Sequence, residues 1–324
     1  MNHDDIQRLL KERRFTTTAG SETYLLFQQG FDLKEFCAFT LYEDPAAWET
    51  YERNFLHPIL QTAAENGFGI FVDALIWRAH DDFIVKLGYR PEELKAINSN
   101  AVSKTRESIT RWRQKSGFSE TGAPVLIVGD VGPRGDGYSV EDTPRTIEDT
   151  YDYFLPQLKA LADSKVDLLY TLTMTTATES IGIVKAAATV GLPVAVSPTI
   201  ETNGQLPDGT SLEDFIKQVD AETDSTPLFY MVNCAHPTHL VPILQSAKKR
   251  SADWLKRFKG FRANASCKSH EELDNSTELD RGDIEELAKQ IAAMCADHDL
   301  RVIGGCCGTD PEHIKAMVST CLSN

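Results

Sequence analysis

A chain of 324 residues, 41% hydrophobic and 25% charged, can bury a large core, either as two ordinary domains or as one large barrel. Its formal net charge of -15 argues against nucleic acid or an anionic membrane surface as partner. No apolar run is long enough to cross a bilayer, and the start, Met1-Asn2-His3-Asp4-Asp5, lacks a signal-peptide core. The expectation is a cytoplasmic protein whose seven cysteines are free thiols or ligands, not a disulfide framework.

In chain order, residues 4–14 have the spacing of a short amphipathic helix. Residues 15–18 are β-branched and lead through a small-residue turn into a helical stretch over 24–29, closed by Gly30. After an apolar interlude at 36–41, a helix is expected over 45–66, ended by Asn66-Gly67, and a second strand over 68–73. A long polar helix over 91–117 precedes a strand at 124–129 and a glycine-rich loop at 130–137. Helices over 146–164 and 178–190 alternate with strands at 166–171 and 193–196. A loop at 203–209 gives way to a helix start at Thr210-Ser211-Leu212-Glu213. The sixth strand, 228–233, is followed by a helix through 239–247, and a short seventh strand is read at 261–263. Residues 265–282 are polar and read as a loop over one face. A helix running to 299, a strand at 301–304 and a helix at 310–322 complete the chain.

Eight strands alternating with helices argue for a parallel sheet with crossover helices, and their number and length fit a single-domain (β/α)8 TIM barrel over residues 1–324. A doubly wound open sheet is the alternative. In a barrel the active site lies at the C-terminal ends of the strands.

That rule gives the cysteines their meaning. Gly304-Gly305-Cys306-Cys307-Gly308 stands at the end of the eighth strand, and Cys234 ends the sixth. Adjacent cysteines reach disulfide geometry only under strain, but both can ligate one metal ion. Three thiolates on one rim, with a fourth position open, form a catalytic zinc arrangement. Buried thiols can also pack as small hydrophobes, and Cys37, Cys267, Cys295 and Cys321 are read as plain thiols outside the site. For Cys267, in a polar loop, a spare ligand is the minor alternative. His236 and His239 read as solvated residues at a helix start, not as a second metal pair. The glycines of 130–137 match neither a phosphate-binding loop nor a dinucleotide fingerprint. A sulfur-rich zinc site is a weak Lewis acid, suited to holding a substrate thiol as thiolate for attack on the methyl group of a sulfonium or ammonium donor.

With these motifs assembled, the sequence resembles the homocysteine S-methyltransferase family of zinc barrels across nearly its whole length. The resemblance rests on Val232-Asn233-Cys234 and Gly304-Gly305-Cys306-Cys307-Gly308-Thr309, with support from Val128-Gly129-Asp130-Val131-Gly132-Pro133 and residues 205–211. Asn264 is similar to the asparagine that follows the family's seventh strand. The resemblance implies a methyltransferase of methionine biosynthesis in which Cys234, Cys306 and Cys307 hold Zn2+ and homocysteine is the default acceptor. The donor would be a small molecule such as S-methylmethionine, S-adenosylmethionine or betaine, since no cobalamin or folate unit is read. Homo-oligomerisation is left open.

Three positions depart from the family pattern. Its Asp-Gly-Gly-x-x-Thr-Glu stretch is here Thr18-Ala19-Gly20-Ser21-Glu22-Thr23-Tyr24, and its Glu-Thr pair after the fourth strand is Leu172-Thr173. Its Thr-Asn-Thr-Phe-like run is replaced by 73–78, which contains Trp77. A carboxylate lost opposite a substrate ammonium removes a contact worth on the order of 1.5–3 kcal/mol. Either Glu22, Asp73 or Asp130 supplies a displaced carboxylate, or the acceptor is a different thiol, or zinc is kept and methyl transfer lost. The residues expected to face substrate are Thr18, Glu22, Tyr24, Asp73, Asp130, Leu172, Thr173, Asn233 and Asn264. No catalytic side chain beyond the zinc site is expected.

Overall fold

The computed structural model describes residues 1–140, 145–274 and 276–323. Among them eight parallel strands close into a barrel in sequence order: β1 (Phe15–Thr17), β2 (Gly69–Asp73), β3 (Val125–Val131), β4 (Leu168–Met174), β5 (Val194–Pro198), β6 (Tyr230–Ala235), β7 (Phe258–Ala263) and β8 (Val302–Gly305). Closure is made by β1 against β8, with Phe15 opposite Val302. This is the (β/α)8 TIM barrel expected from the alternation; the open-sheet alternative is excluded.

Two apolar layers hold it. Phe15, Phe71, Leu126, Val128, Tyr170 and Met231 fill the interior as one buried cluster. The helix His3–Glu12 joins that cluster through Ile6 and Leu10 and so plugs the N-terminal end. The second layer lies between strands and outer helices, where Leu158, Leu161, Ile183, Val184, Leu240 and Ile291 are buried. Burying each large side chain contributes roughly 1.5–3 kcal/mol. Function is left to the opposite, C-terminal rim.

Boundaries differ from the sequence reading where local chemistry was subtle. The seventh strand begins at Phe258, because Phe258 and Gly260 are buried on either side of the half-buried Lys259. Short helices at Asp81–Lys86 and His270–Asp274 were not expected. The helix Leu212–Glu222 is capped by Ser211, whose hydroxyl accepts from the Asp214 N–H at 3.1 Å and donates to its carboxylate at 2.7 Å.

Three non-glycine residues at strand ends on the rim take left-handed backbone: Leu75 (φ 54°) after β2, Thr173 (φ 63°) in β4 and Cys234 (φ 56°) in β6. Pairing shifts register beside the last two. Such conformations cost roughly 1–3 kcal/mol each and persist where the surroundings over-determine them. Here they re-aim side chains into the barrel mouth.

Candidate active site

The three thiols of Cys234, Cys306 and Cys307 lie within 4.8 Å of one another, and Cys234 Sγ is 3.4 Å from Cys307 Sγ. Backbone bonds fix the turn that carries the pair: the Cys306 N–H donates to the Ala263 carbonyl, and the Ala265 N–H to the Cys307 carbonyl. Gly308 (φ 78°) makes the turn. Gly304 gives room for close approach, since a Cβ there would collide with the Thr17 side chain.

A tetrahedral ion with bonds of about 2.3 Å to sulfur needs sulfurs about 3.8 Å apart, so this spacing fits a zinc-sized ion. The protein's own groups already favour one thiolate. Hydrogen bonds from the neighbouring thiols of Cys234 and Cys307, then the Arg262 charge, pull Cys306 well below the ordinary thiol range. The Cys307 thiol is pushed up by its bonds to Cys234 and then Cys306, and the Cys234 thiol by its bond to Cys306. Asn233 Nδ2 approaches Cys306 Sγ at 3.8 Å and Asn264 Nδ2 approaches Cys234 Sγ at 3.7 Å. Asn233 is itself held, its side-chain carbonyl accepting from the Thr173 N–H at 2.8 Å and the Ser197 hydroxyl at 2.7 Å.

A cavity of about 300 Å³ opens beside the sulfurs. Of the expected substrate-facing residues, Glu22, Asp73, Asp130, Leu172, Thr173 and Asn233 line it. Thr18 and Tyr24 do not. The Thr18 hydroxyl donates to Asp73, and Tyr24 packs its ring on Phe55 at 4.7 Å. Asn264 lies behind the cysteines, in a narrow cleft with His270. Cys267 is exposed and outside the sulfur cluster. His236 caps the helix Pro237–Lys249, and His239 bonds to the Cys267 carbonyl. Cys295 and Cys321 are buried in outer helices, their sulfurs 3.7 Å apart.

The three candidate carboxylates have different fates. Asp73 is committed to Arg262, which donates to both its oxygens at 3.1 and 2.6 Å. Burial works against the Arg262 charge, but Asp73 outweighs it and raises the guanidinium pKa. Asp130 accepts the Ile76 N–H at 3.3 Å, and burial, then Asp73 and Glu22, push its carboxyl well above the usual range. Glu22 is raised to about 7, by burial first and then by Cys306 and Asp73. Glu22 is on the cavity and is poised to become an unpaired anion near neutrality.

Sequence reasoning passed over Arg262 and Tyr138. Arg262 is a charged residue between the apolar Phe261 and Ala263, a signal that was legible. Tyr138 follows the glycine-rich loop after β3; its hydroxyl is hydrogen-bonded to Cys234 Sγ at 3.1 Å and lies 3.7 Å from Cys307 Sγ. Its ring packs on His270 at 4.2 Å, and His270 donates from Nε2 to the Cys234 carbonyl at 2.8 Å.

A family model for homocysteine S-methyltransferase matches residues 63–321, most of the chain. The chain belongs to the homocysteine S-methyltransferase family. Its fold is similar to that of the Escherichia coli homocysteine methyltransferase MmuM in metallated form, with TM-score 0.72 and 19% identity over 96% of this chain and 98% of that one. The oxidized and apo forms of that enzyme match with TM-scores of 0.71 and 0.63, also at 19% identity over 95% of each chain. At that identity the likeness is one of fold.

Proposed function

We propose that this family member is a zinc-dependent thiol S-methyltransferase, with homocysteine as default acceptor and a small sulfonium or ammonium compound as donor. The observation that carries the reading is the convergence of Cys234, Cys306 and Cys307 at the C-terminal rim, with Cys306 and Cys307 on the wall of the cavity. Zinc held by these sulfurs would supply the Lewis acid that keeps an incoming thiol deprotonated at neutral pH.

The chain's own residues do the rest. In the transfer, the thiol gives up its proton and its sulfur forms a bond to the methyl carbon. The bond from that carbon to the donor's sulfur or nitrogen breaks, and its electron pair stays with the donor. Alignment of the two is the protein's task. Trp77 fixes one wall, its indole N–H donating to the Leu172 carbonyl at 3.2 Å. Trp77 and Phe36 make this wall of the cavity apolar. Glu22 takes the role of the displaced carboxylate opposite an acceptor ammonium. Arg262, paired below, adds positive potential beneath Cys306.

The test is metal content followed by methyl transfer from S-methylmethionine to homocysteine and to a panel of other thiols. One zinc per chain with turnover on homocysteine is expected. Cys307→Ala should lose zinc and transfer together while circular dichroism still reports a folded barrel. Transfer surviving in zinc-free Cys307→Ala protein would overturn the mechanism.

A further inference from the structure

Two cations line the cavity, Arg262 and Arg78. Arg262 has its counter-ion in Asp73. Arg78 has none: among the described residues no carboxylate comes within ion-pair distance of it. It follows Trp77 in the loop after β2, and three aromatic rings hold its head. The guanidinium carbon is 4.4 Å from the Phe83 ring centre, 4.8 Å from that of Trp77 and 6.0 Å from that of Phe36. One nitrogen donates to the Glu35 carbonyl at 2.7 Å, and the buried Nε has no partner. Two carboxylates, Glu35 and Asp136, act on Arg78 through space, but neither forms an ion pair with it. Glu35 faces Lys86 at 4.0 Å, and Asp136 accepts the Tyr138 N–H at 2.7 Å. Burial pulls the Arg78 pKa down, the mark of a charge short of compensation.

An aromatic cage fixes the head without neutralising it, because ring faces attract a cation but carry no net charge. A rigid guanidinium with open valence, on the same cavity as the Cys306 and Cys307 thiols, is built to pair with a planar anion. We infer that Arg78 reads a carboxylate of the substrate, so that this cavity selects carboxylate-bearing ligands, with Glu22 free to take an ammonium. Which substrate brings the carboxylate rests on the transfer reading above; that Arg78 binds one does not.

The probe is norleucine, which has the carboxylate and ammonium but no thiol and no transferable methyl. Its binding is measured by calorimetry on zinc-loaded protein, against norleucine methyl ester. Wild type should prefer the acid. Arg78→Gln should weaken the acid by about tenfold to a hundredfold and leave the ester nearly unchanged. Arg78→Lys, which keeps the charge and loses the fork, should fall between and guards against a folding defect. Equal binding of acid and ester to wild type, or equal weakening of both by Arg78→Gln, overturns the inference.

Kinetics then assign the source. A rise in KM for 3-mercaptopropionate but not 2-mercaptoethanol puts the carboxylate on the acceptor. A rise for S-methylmethionine but not trimethylsulfonium puts it on the donor. If wild type methylates no thiol yet still prefers norleucine to its ester, the transfer reading fails and the Arg78 assignment stands.

Discussion

The two sides of the barrel mouth handle charge in opposite ways. On the β6–β8 side, three thiols share hydrogen bonds, and one of them, Cys306, is held toward the thiolate by its neighbours and by Arg262. On the β1–β4 side stand three acidic side chains, Glu22, Asp73 and Asp130, each in a different setting. Asp73 is paired with Arg262, Asp130 is pushed toward its neutral form, and Glu22 titrates near pH 7. The charge a ligand meets is therefore set by pairing and burial, not by counting acidic residues. Arg262 links the sides, since it touches Asp73 on one and the Gly305 carbonyl, at 3.3 Å, on the other.

The strongest way to break the arrangement is to cut that link. Arg262 and Asp73 are both buried, and removing one partner of a buried pair costs about 3–5 kcal/mol, because the other charge is left without compensation. Asp73→Ala should therefore show that loss in urea unfolding. An Asp73→Leu, Arg262→Met double variant should regain most of it, since apolar replacement removes both desolvation penalties. A single variant within about 0.5 kcal/mol of wild type would mean that Arg262 finds its compensation elsewhere.

A smaller effect separates Glu22 from its two neighbours. Its folded-state pKa, about 7, lies above the ordinary value of 4.5. The folded protein thus binds this proton more tightly than the unfolded chain does. The resulting stability is fully present below pH 4.5 and is lost as pH rises through 7. Glu22→Gln should flatten that part of the stability profile. For homocysteine, the wild-type KM should fall as the carboxylate forms through the same range, while 3-mercaptopropionate, which lacks the ammonium, shows no such fall. A homocysteine profile unchanged in Glu22→Gln would remove Glu22 from the binding role.

The sulfur side was largely legible in the sequence because its chemistry is carried by residue type. Cysteine at a strand end between glycines has few readings, and alternation alone was enough to place the two strands on one rim. The acidic side was legible only in part. Asp73 and Arg262 are 189 residues apart, and nothing local to either announces the other. Tyr24 stands where the family carries a glutamate, yet it faces Phe55, not the cavity. The chain is helical from Ser21 to Gln28, and residues two apart on a helix point in different directions. Glu22 and Tyr24 therefore cannot share a face, and motif register alone does not say which of them faces the cavity. Arg78 needed its surroundings: from sequence it is one more surface arginine, and only the missing counter-ion makes it distinctive.

The finest distinction concerns Tyr138, which comes from the loop after β3 but bonds to sulfurs on β6 and β8. If it serves only to order the thiols, Tyr138→Phe removes one hydrogen bond and keeps the ring on His270. The net worth of such a bond is about 0.5–1.5 kcal/mol. Zinc content should then stay at one per chain. The metal-free thiols should react with an aromatic disulfide reagent about two- to tenfold faster, because the hydroxyl no longer occupies a sulfur lone pair. If instead the phenol belongs to the ligand set, zinc affinity should fall by far more than tenfold and thiol reactivity becomes the lesser change. The first outcome keeps the metal wall purely a matter of β6 and β8. The second extends it to the loop after β3 and moves the boundary between the two sides by one element.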